Sequence, residues 1–211
     1  LTQEKPLTRG QARRQAMLDA ATDLFLEKGY ERTSLTDIVD RSKGSRTTLY
    51  EQFGNKEGLL RAMVEDSSSR LWQVIDSPDE TPSFAEAELV DLGRRFITAA
   101  LAPNAVAVFR IVVAEGHRVP DIAEFFFDRG PRIIKERLTQ RFRLASAGSP
   151  LAIGSPEVLT QVFLGAVIGD LWIRQALGLA PLCGDEEIEA HVRIAVRIFL
   201  DGIARSVTDQ K

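Results

Sequence analysis

Residues 33–56 read TSLTDIVDRSKGSRTTLYEQFGNK, and two short helices can be built from these residues alone. Thr33 and Ser34 place side-chain oxygens ahead of the apolar set Leu35, Ile38 and Val39, with Asp37 near the helix start. That is N-cap chemistry with a favourably placed carboxylate. Leu35, Ile38 and Val39 share one face at i, i+3, i+4, which leaves Thr36, Asp37, Asp40 and Arg41 outside. Ser42-Lys43-Gly44 supplies a turn in which Gly44 is expected to take the positive φ. Ser45 then caps a second helix with Leu49 and Phe53 inward and Arg46, Thr47, Thr48, Tyr50 and Gln52 outward. Two short helices across a tight turn form a helix-turn-helix, whose second helix fits the DNA major groove. A guanidinium, hydroxyls, a phenol and an amide on one exposed face suit phosphates and base edges. Taken residue by residue, a solvated surface hairpin stays open as the alternative.

Working outward, nearly every segment has helical period and none alternates as a strand does. Arg13 to Lys28 carries Met17, Ala20, Ala21, Leu24 and Phe25 on one stripe, with Gly29 as its stop. Asn55 is placed to cap a longer helix from Lys56 to about Asp76. A loop over Ser77–Pro82 precedes helices expected at about Ser83–Leu101, Asn104–Gly116, Asp121–Arg129 and Pro131–Leu144. Residues 145–156 read as an exposed Gly/Ser/Pro-rich loop. Two long helices are expected to close the chain, Pro156–Leu177 and Glu186–Val207.

The 211 residues are 44% hydrophobic, enough for a sizeable core, and carry a formal charge of -3. The charge is unevenly spread: +2 through Arg61 and -5 from Ala62 onward. Lys5, Arg9, Arg13 and Arg14 place positive charge in an N-terminal arm or first-helix start, within reach of the minor groove or phosphates. Cys183 is the sole cysteine, so no disulfide forms within one chain and a reducing compartment is expected. No signal peptide and no apolar run of membrane-spanning length appear, and the expected location is the cytoplasm with no membrane partner. The chain starts with Leu, so a few residues are expected to precede it.

From about Arg13 to Met63 the chain resembles the TetR/AcrR family of bacterial transcriptional regulators. The resemblance is carried by Ala20-Ala-x-x-Leu24-Phe25, Gly29-Tyr30, Thr33-Ser34, Ile38, and Thr48-Leu49-Tyr50-x-x-Phe53-x-x-Lys56-Glu57-x-Leu59. It departs from the family in the turn, where Lys43-Gly44 stands for the usual Gly-aliphatic pair, and at Glu51, which puts a negative charge near the expected phosphates. Phe109-Arg-Ile-Val-Val-Ala-Glu, then Pro120 and Phe125, resembles the C-terminal domain of AefR-like repressors in the same family. The resemblance implies an all-α protein: an N-terminal arm and three-helix helix-turn-helix domain over 1–55, then a C-terminal effector-binding and dimerisation bundle over 56–211. It implies a homodimer on a palindromic double-stranded operator. Arg46, Thr47 and Thr48 are expected nearest base edges, and Thr33, Ser34, Ser45, Tyr50, Gln52 and Lys56 are expected mainly on phosphates or at the helix starts beside them.

The last two helices carry a face of Val162, Gly165, Ala166, Gly169 and Ile173, and a stripe of Ile188, Val192, Ala195, Phe199, Ile203 and Val207. Small residues one turn apart let a second helix approach closely, so Gly165, Gly169, Ile173, Val192 and Phe199 are the expected dimer contacts. Aromatics between reading head and dimer helices can enclose an apolar ligand. Phe96, Phe109, Val113, His117, Phe126 and Trp172 are therefore expected to bind a small, mostly apolar effector that releases the repressor from DNA. No cofactor or metal is expected. His117, His191 and Cys183 lie far apart with no metal-ligand spacing, and no nucleophile elbow or phosphate loop supports an enzyme. An architectural DNA binder without a sensor is the other alternative, and it calls for a more basic chain.

Overall fold

A computed structural model of the chain describes residues 8–75, 82–147, 155–179 and 184–208, with backbone only over 203–208. Lys5, residues 76–81 and 148–154, Cys183, and the side chains of Ile203 and Val207 lie outside the described residues. Among the described residues there are eleven helices and no strand. They are α1 (Arg9–Lys28), α2 (Leu35–Ser42), α3 (Arg46–Phe53), α4 (Lys56–Ile75), α5 (Glu86–Ala100), α6 (Pro103–Glu115), α7 (Ile122–Arg129), α8 (Pro131–Ser146), α9 (Pro156–Ile168), α10 (Leu171–Leu177) and α11 (Asp185–Thr208).

The chain divides into two compact units, one of residues 1–67 with 107–126, the other of 68–106 with 127–211. This division differs from a break at 55/56, because the start of α4 and most of α6 and α7 share the core of the N-terminal helices. In the first unit, Met17, Leu24, Phe25, Ile38, Leu49, Leu59 and Leu60 are buried together with Val108, Ile111, Val112 and Ile122. α1 starts four residues earlier than its apolar stripe indicates. Thr8 accepts from the Gln11 backbone N–H at 3.2 Å while the Gln11 side chain accepts from Thr8 N–H at 2.9 Å, a reciprocal cap that sets the first turn. Arg9, Arg13 and Arg14 are thus helical, and Arg14 lies 5.5 Å over the Phe53 ring.

The turn between α2 and α3 differs from the expectation. Lys43, not Gly44, takes the left-handed conformation, at φ 52° and ψ 33°. Gly44 N–H returns to Val39 O at 3.0 Å, closing the helix end in a Schellman-type bond. A Cβ on Gly44 would lie 2.4 Å from Met17 Cε, the flexible end of a side chain that packs against the turn. The Met17 side chain fills the room that an aliphatic residue in the turn would occupy.

In the second unit α5, α8, α9 and α11 pack around Leu89, Leu92, Phe96, Ile97, Leu138, Val167 and Val196. Phe142 joins Phe84, Phe163 and Phe199 with ring centroids 5.5–5.8 Å apart, favourable offset and edge geometries. A Cβ on Gly93 would lie 2.8 Å from Val192 Cγ1, so the missing side chain lets α11 approach α5. Two buried threonines are paired: Thr139 Oγ donates to Thr160 Oγ at 3.0 Å and Thr160 Oγ to Pro156 O at 2.8 Å. Arg141 pairs with Glu88, which also accepts from the Ser83 hydroxyl.

The expected single helix over 156–177 is two. Gly169, at φ 50° and ψ -138°, ends α9, and α10 continues at an angle of 51°. In a continuous helix Val167 O would accept from Leu171; here it accepts from His191 Nε2 at 3.0 Å instead. Gly169 and Ile173 therefore do not continue one helical face with Val162 and Gly165.

Candidate nucleic-acid interface

The helix-turn-helix is held by its own caps. Ser34 Oγ accepts from Asp37 N–H at 3.1 Å and the Asp37 carboxylate accepts from Ser34 N–H at 2.9 Å, which starts α2. Ser45 Oγ accepts from Thr48 N–H at 3.1 Å and lies 2.8 Å from Thr48 Oγ, which starts α3. Asn55 Oδ1 accepts from Gly58 N–H at 2.7 Å, which starts α4 as expected. On the outer side α2 is tied to α1 by a two-pronged Arg41–Glu27 pair, at 2.7 and 2.8 Å. Arg41's hydrogen bonds hold the Glu27 carboxyl below its ordinary range. The Ser34 backbone N–H and then its hydroxyl do the same for Asp37.

With Leu49 and Phe53 buried, α3 presents Arg46, Thr47, Tyr50, Glu51 and Gln52 to the outside, and Tyr50 is 55% exposed. Ser34, Ser45 and Thr48 sit beside them with their hydroxyls engaged in the caps. Arg46 Nη2 donates to Thr36 Oγ at 2.9 Å, a partner that the sequence reading left unassigned.

Two expected phosphate-binding residues are placed elsewhere. Thr33 is 1% exposed, and its hydroxyl is shared between Gly29 O at 2.9 Å and Leu24 O at 3.2 Å. Lys56 Nζ donates to Tyr30 O, Thr33 O and Glu31 O at 2.9, 3.2 and 3.3 Å and lies 4.4 Å over the Tyr30 ring. All three ammonium donors are thus spent on the loop joining α1 to α2. Burial, reinforced by the carboxylates of Glu57, Glu31 and Glu115, pushes the Tyr30 phenol up to about 12. Lys56→Met should therefore lower the unfolding free energy by about 1–3 kcal/mol, read from a denaturant midpoint. The slope of DNA affinity against salt should stay unchanged. A slope reduced by about one at unaltered stability would restore Lys56 to the phosphates.

The six residues expected to bind an effector divide between the units. Phe96 is buried and Trp172 half-buried against the second unit's core. Phe109 and Phe126 belong to the first unit, with ring centroids 5.9 Å apart. Val113 and His117, in the same unit, are exposed.

Of the expected dimer contacts, Gly165, Gly169 and Ile173 are exposed. Val192 and Phe199, at 0% and 4% exposure, are core residues of their own chain, and a second chain cannot reach them. Beside them, the described residues of α9 and α11 leave four larger apolar side chains open. Val158 and Val162 on α9, one turn apart and on the same side as Gly165, and Ile194 and Ile198 on α11, are all about half exposed or more, with Ile198 at 66%. The signal for them was present: α11 has a second apolar pair, Ile194 and Ile198, at i, i+4 away from the stripe that fills the core. Among the described residues no single helix is long and apolar enough to cross a membrane, and no group of three or more metal-ligating side chains comes together.

Residues 17–63 match the family described as bacterial regulatory proteins, tetR family, and residues 87–202 match the AefR-like transcriptional repressor C-terminal domain. The transcriptional repressor ComR of Escherichia coli K12 is 50% identical over 52 residues, a match spanning 25% of each chain. The transcriptional repressor Rv3405c of Mycobacterium tuberculosis H37Rv is 28% identical over 90% of this chain and 86% of its own. The solved structure of the flavonoid-responsive regulator FrrA is 29% identical, covers 90% of this chain and 96% of that one, and superposes with a TM-score of 0.69.

Proposed function

The chain belongs to the TetR family of bacterial DNA-binding transcriptional regulators, with an AefR-like C-terminal domain, and we propose that it is a homodimeric repressor released from a palindromic operator by a small, mostly apolar effector. Residues 1–55 form the DNA-binding domain in this reading and 56–211 the effector-binding and dimerisation domain, and the protein works in the cytoplasm. The observation that carries it is the exposed polar face of α3, capped at Ser45 and backed by a buried Leu49 and Phe53. Arg46, Thr47 and Thr48 lie nearest base edges, with Tyr50, Gln52, Ser34 and Ser45 toward phosphates. Val158, Val162, Ile194 and Ile198 form the face that meets the second chain, giving a four-helix contact of α9 and α11 from each subunit. A two-fold pair then presents its two copies of α3 to successive major grooves, about 34–36 Å apart.

The flavonoid-responsive relative supports an aromatic effector. Phe96 and Trp172 are its candidate contacts within the second unit. α4 is continuous from Lys56 to Ile75, so a tilt of that helix would move Arg46 and Tyr50 relative to their dimer mates. The effector acts by preferring a conformation whose reading heads are wrongly spaced. A hundredfold loss of operator affinity requires about 2.7 kcal/mol of coupling, and operator must weaken effector binding equally.

Selection from random duplex DNA tests the reading. The wild type should recover a palindrome. Tyr50→Phe should weaken all selected sequences alike, since a phosphate contact carries no sequence information. Arg46→Ala should change base preference by about 1–3 kcal/mol at the pair it reads. Planar aromatic compounds that raise the melting temperature should also release the selected DNA. Uniform affinity for every duplex would favour an architectural binder instead.

A further inference from the structure

We propose that Thr36 aims the Arg46 guanidinium and so helps to determine which base the recognition helix reads, without contacting the base itself. This rests on the reading of Arg46 as a base-contacting residue. Arg46 is the first residue of α3 and Thr36 lies in the first turn of α2, ten positions earlier and on a different helix. Arg46 Nη2–H donates to Thr36 Oγ at 2.9 Å. Both ends of this tether stand on fixed backbone. The Ser34–Asp37 reciprocal cap sets the start of α2, Ser45 sets the start of α3, and the left-handed Lys43 with its close-packed Gly44 sets the turn between them.

The chemistry explains why a tether matters at this site. A guanidinium is planar with five N–H donors, and its bidentate pairing with guanine O6 and N7 requires that plane to coincide with the base plane. A long, exposed arginine otherwise spreads over many rotamers and reaches a phosphate as readily as a base. The hydrogen bond to Thr36 uses one donor, leaves four, and restricts the plane before DNA arrives. Preorganisation of this kind lowers the ordering cost only for the base that matches the fixed plane, and so raises discrimination between bases. Thr36 is exposed, so its hydroxyl is not needed to fill the core.

The test compares the wild type with Thr36→Val, Thr36→Ser, Arg46→Ala and the double variant Thr36→Val/Arg46→Ala. The probes are duplexes selected by the wild type from a random pool, the same duplexes with single base-pair exchanges, and unselected random DNA. Thr36→Val keeps the side-chain shape and β-branching and removes the acceptor. It should lower discrimination about three- to tenfold only at the base pairs whose preference Arg46→Ala also loses, with affinity for random DNA and melting temperature unchanged. Thr36→Ser, which keeps the acceptor, should discriminate as the wild type does. In the Arg46→Ala background Thr36→Val should have no further effect, because the group it positions is gone. Three results overturn the proposal while leaving the DNA-reading function standing: an equal loss on every sequence, random DNA included; effects of Thr36→Val and Arg46→Ala that add; or undiminished discrimination in Thr36→Val. A wild type that selects no sequence overturns the reading of Arg46 and this inference with it.

Discussion

Ile198→Asp is expected to leave each chain folded and to abolish tight operator binding. Ile198 is two-thirds exposed in the single chain, so a carboxylate there costs the isolated subunit little. In the proposed two-fold interface the same substitution enters twice. Each carboxylate would be desolvated against the apolar face of Val158, Val162 and Ile194 without a partner. The subunits should separate, and light scattering should report the 23.4 kDa chain mass where the wild type gives twice that. Operator affinity should fall on the order of a hundredfold or more, because the second half-site is no longer delivered by the first. The circular dichroism of the helices should not change. A wild type that is monomeric at micromolar concentration, or an Ile198→Asp protein that stays dimeric, would refute the assigned face.

Gly58→Ala is expected to destabilise the reading head, against the direction that helix propensity gives. Gly58 lies in the first turn of α4, where alanine is intrinsically favoured over glycine by about 1 kcal/mol. A Cβ at this position would stand 2.0 Å from Phe53 O and 3.2 Å from Phe53 C. These are backbone atoms at the end of α3, and they cannot swing aside as a flexible side chain does. The start of α4 or the end of the recognition helix must move. The expected loss is about 2–4 kcal/mol of unfolding free energy, with weakened DNA binding because the displaced helix carries Tyr50 and Gln52. Gly10→Ala is the matching control. It sits inside α1, meets nothing within 4 Å, and should be neutral or gain up to about 1 kcal/mol. Denaturant midpoints of the two variants decide the matter, and equal midpoints would show that the Phe53 carbonyl does not enforce glycine.

The helix-turn-helix was legible because its determinants are local. Ser34, Ser45 and Asn55 bond to backbone N–H groups three residues ahead, and Leu49 and Phe53 fall on one face by helical period. The sequence by itself therefore determined an all-helical chain, the positions of α2, α3 and the start of α4, and the polar outer face of the recognition helix. Its match to a family pattern rests on the same short-range residues.

Only the tertiary structure decided how side chains with two plausible fates were spent. Lys56 finds its carbonyls 23–26 residues away, and Thr33 its second acceptor nine residues away, so their withdrawal from the DNA face has no local signal. In the turn, the positive φ falls on Lys43, and the space beside Gly44 is filled by Met17 from another helix. α9 stops at Gly169 where His191, 24 residues from Val167, takes up the carbonyl that the break would orphan. α11 carries two apolar faces. Periodicity finds both, but packing against α5 and α9 consumes the one with Val192 and Phe199 and leaves Ile194 and Ile198 open. Capping and helical period act over three or four residues and are written in the sequence. The partner that claims an amphipathic face or a flexible cation is chosen by chain segments far apart, and it is known only once they are packed.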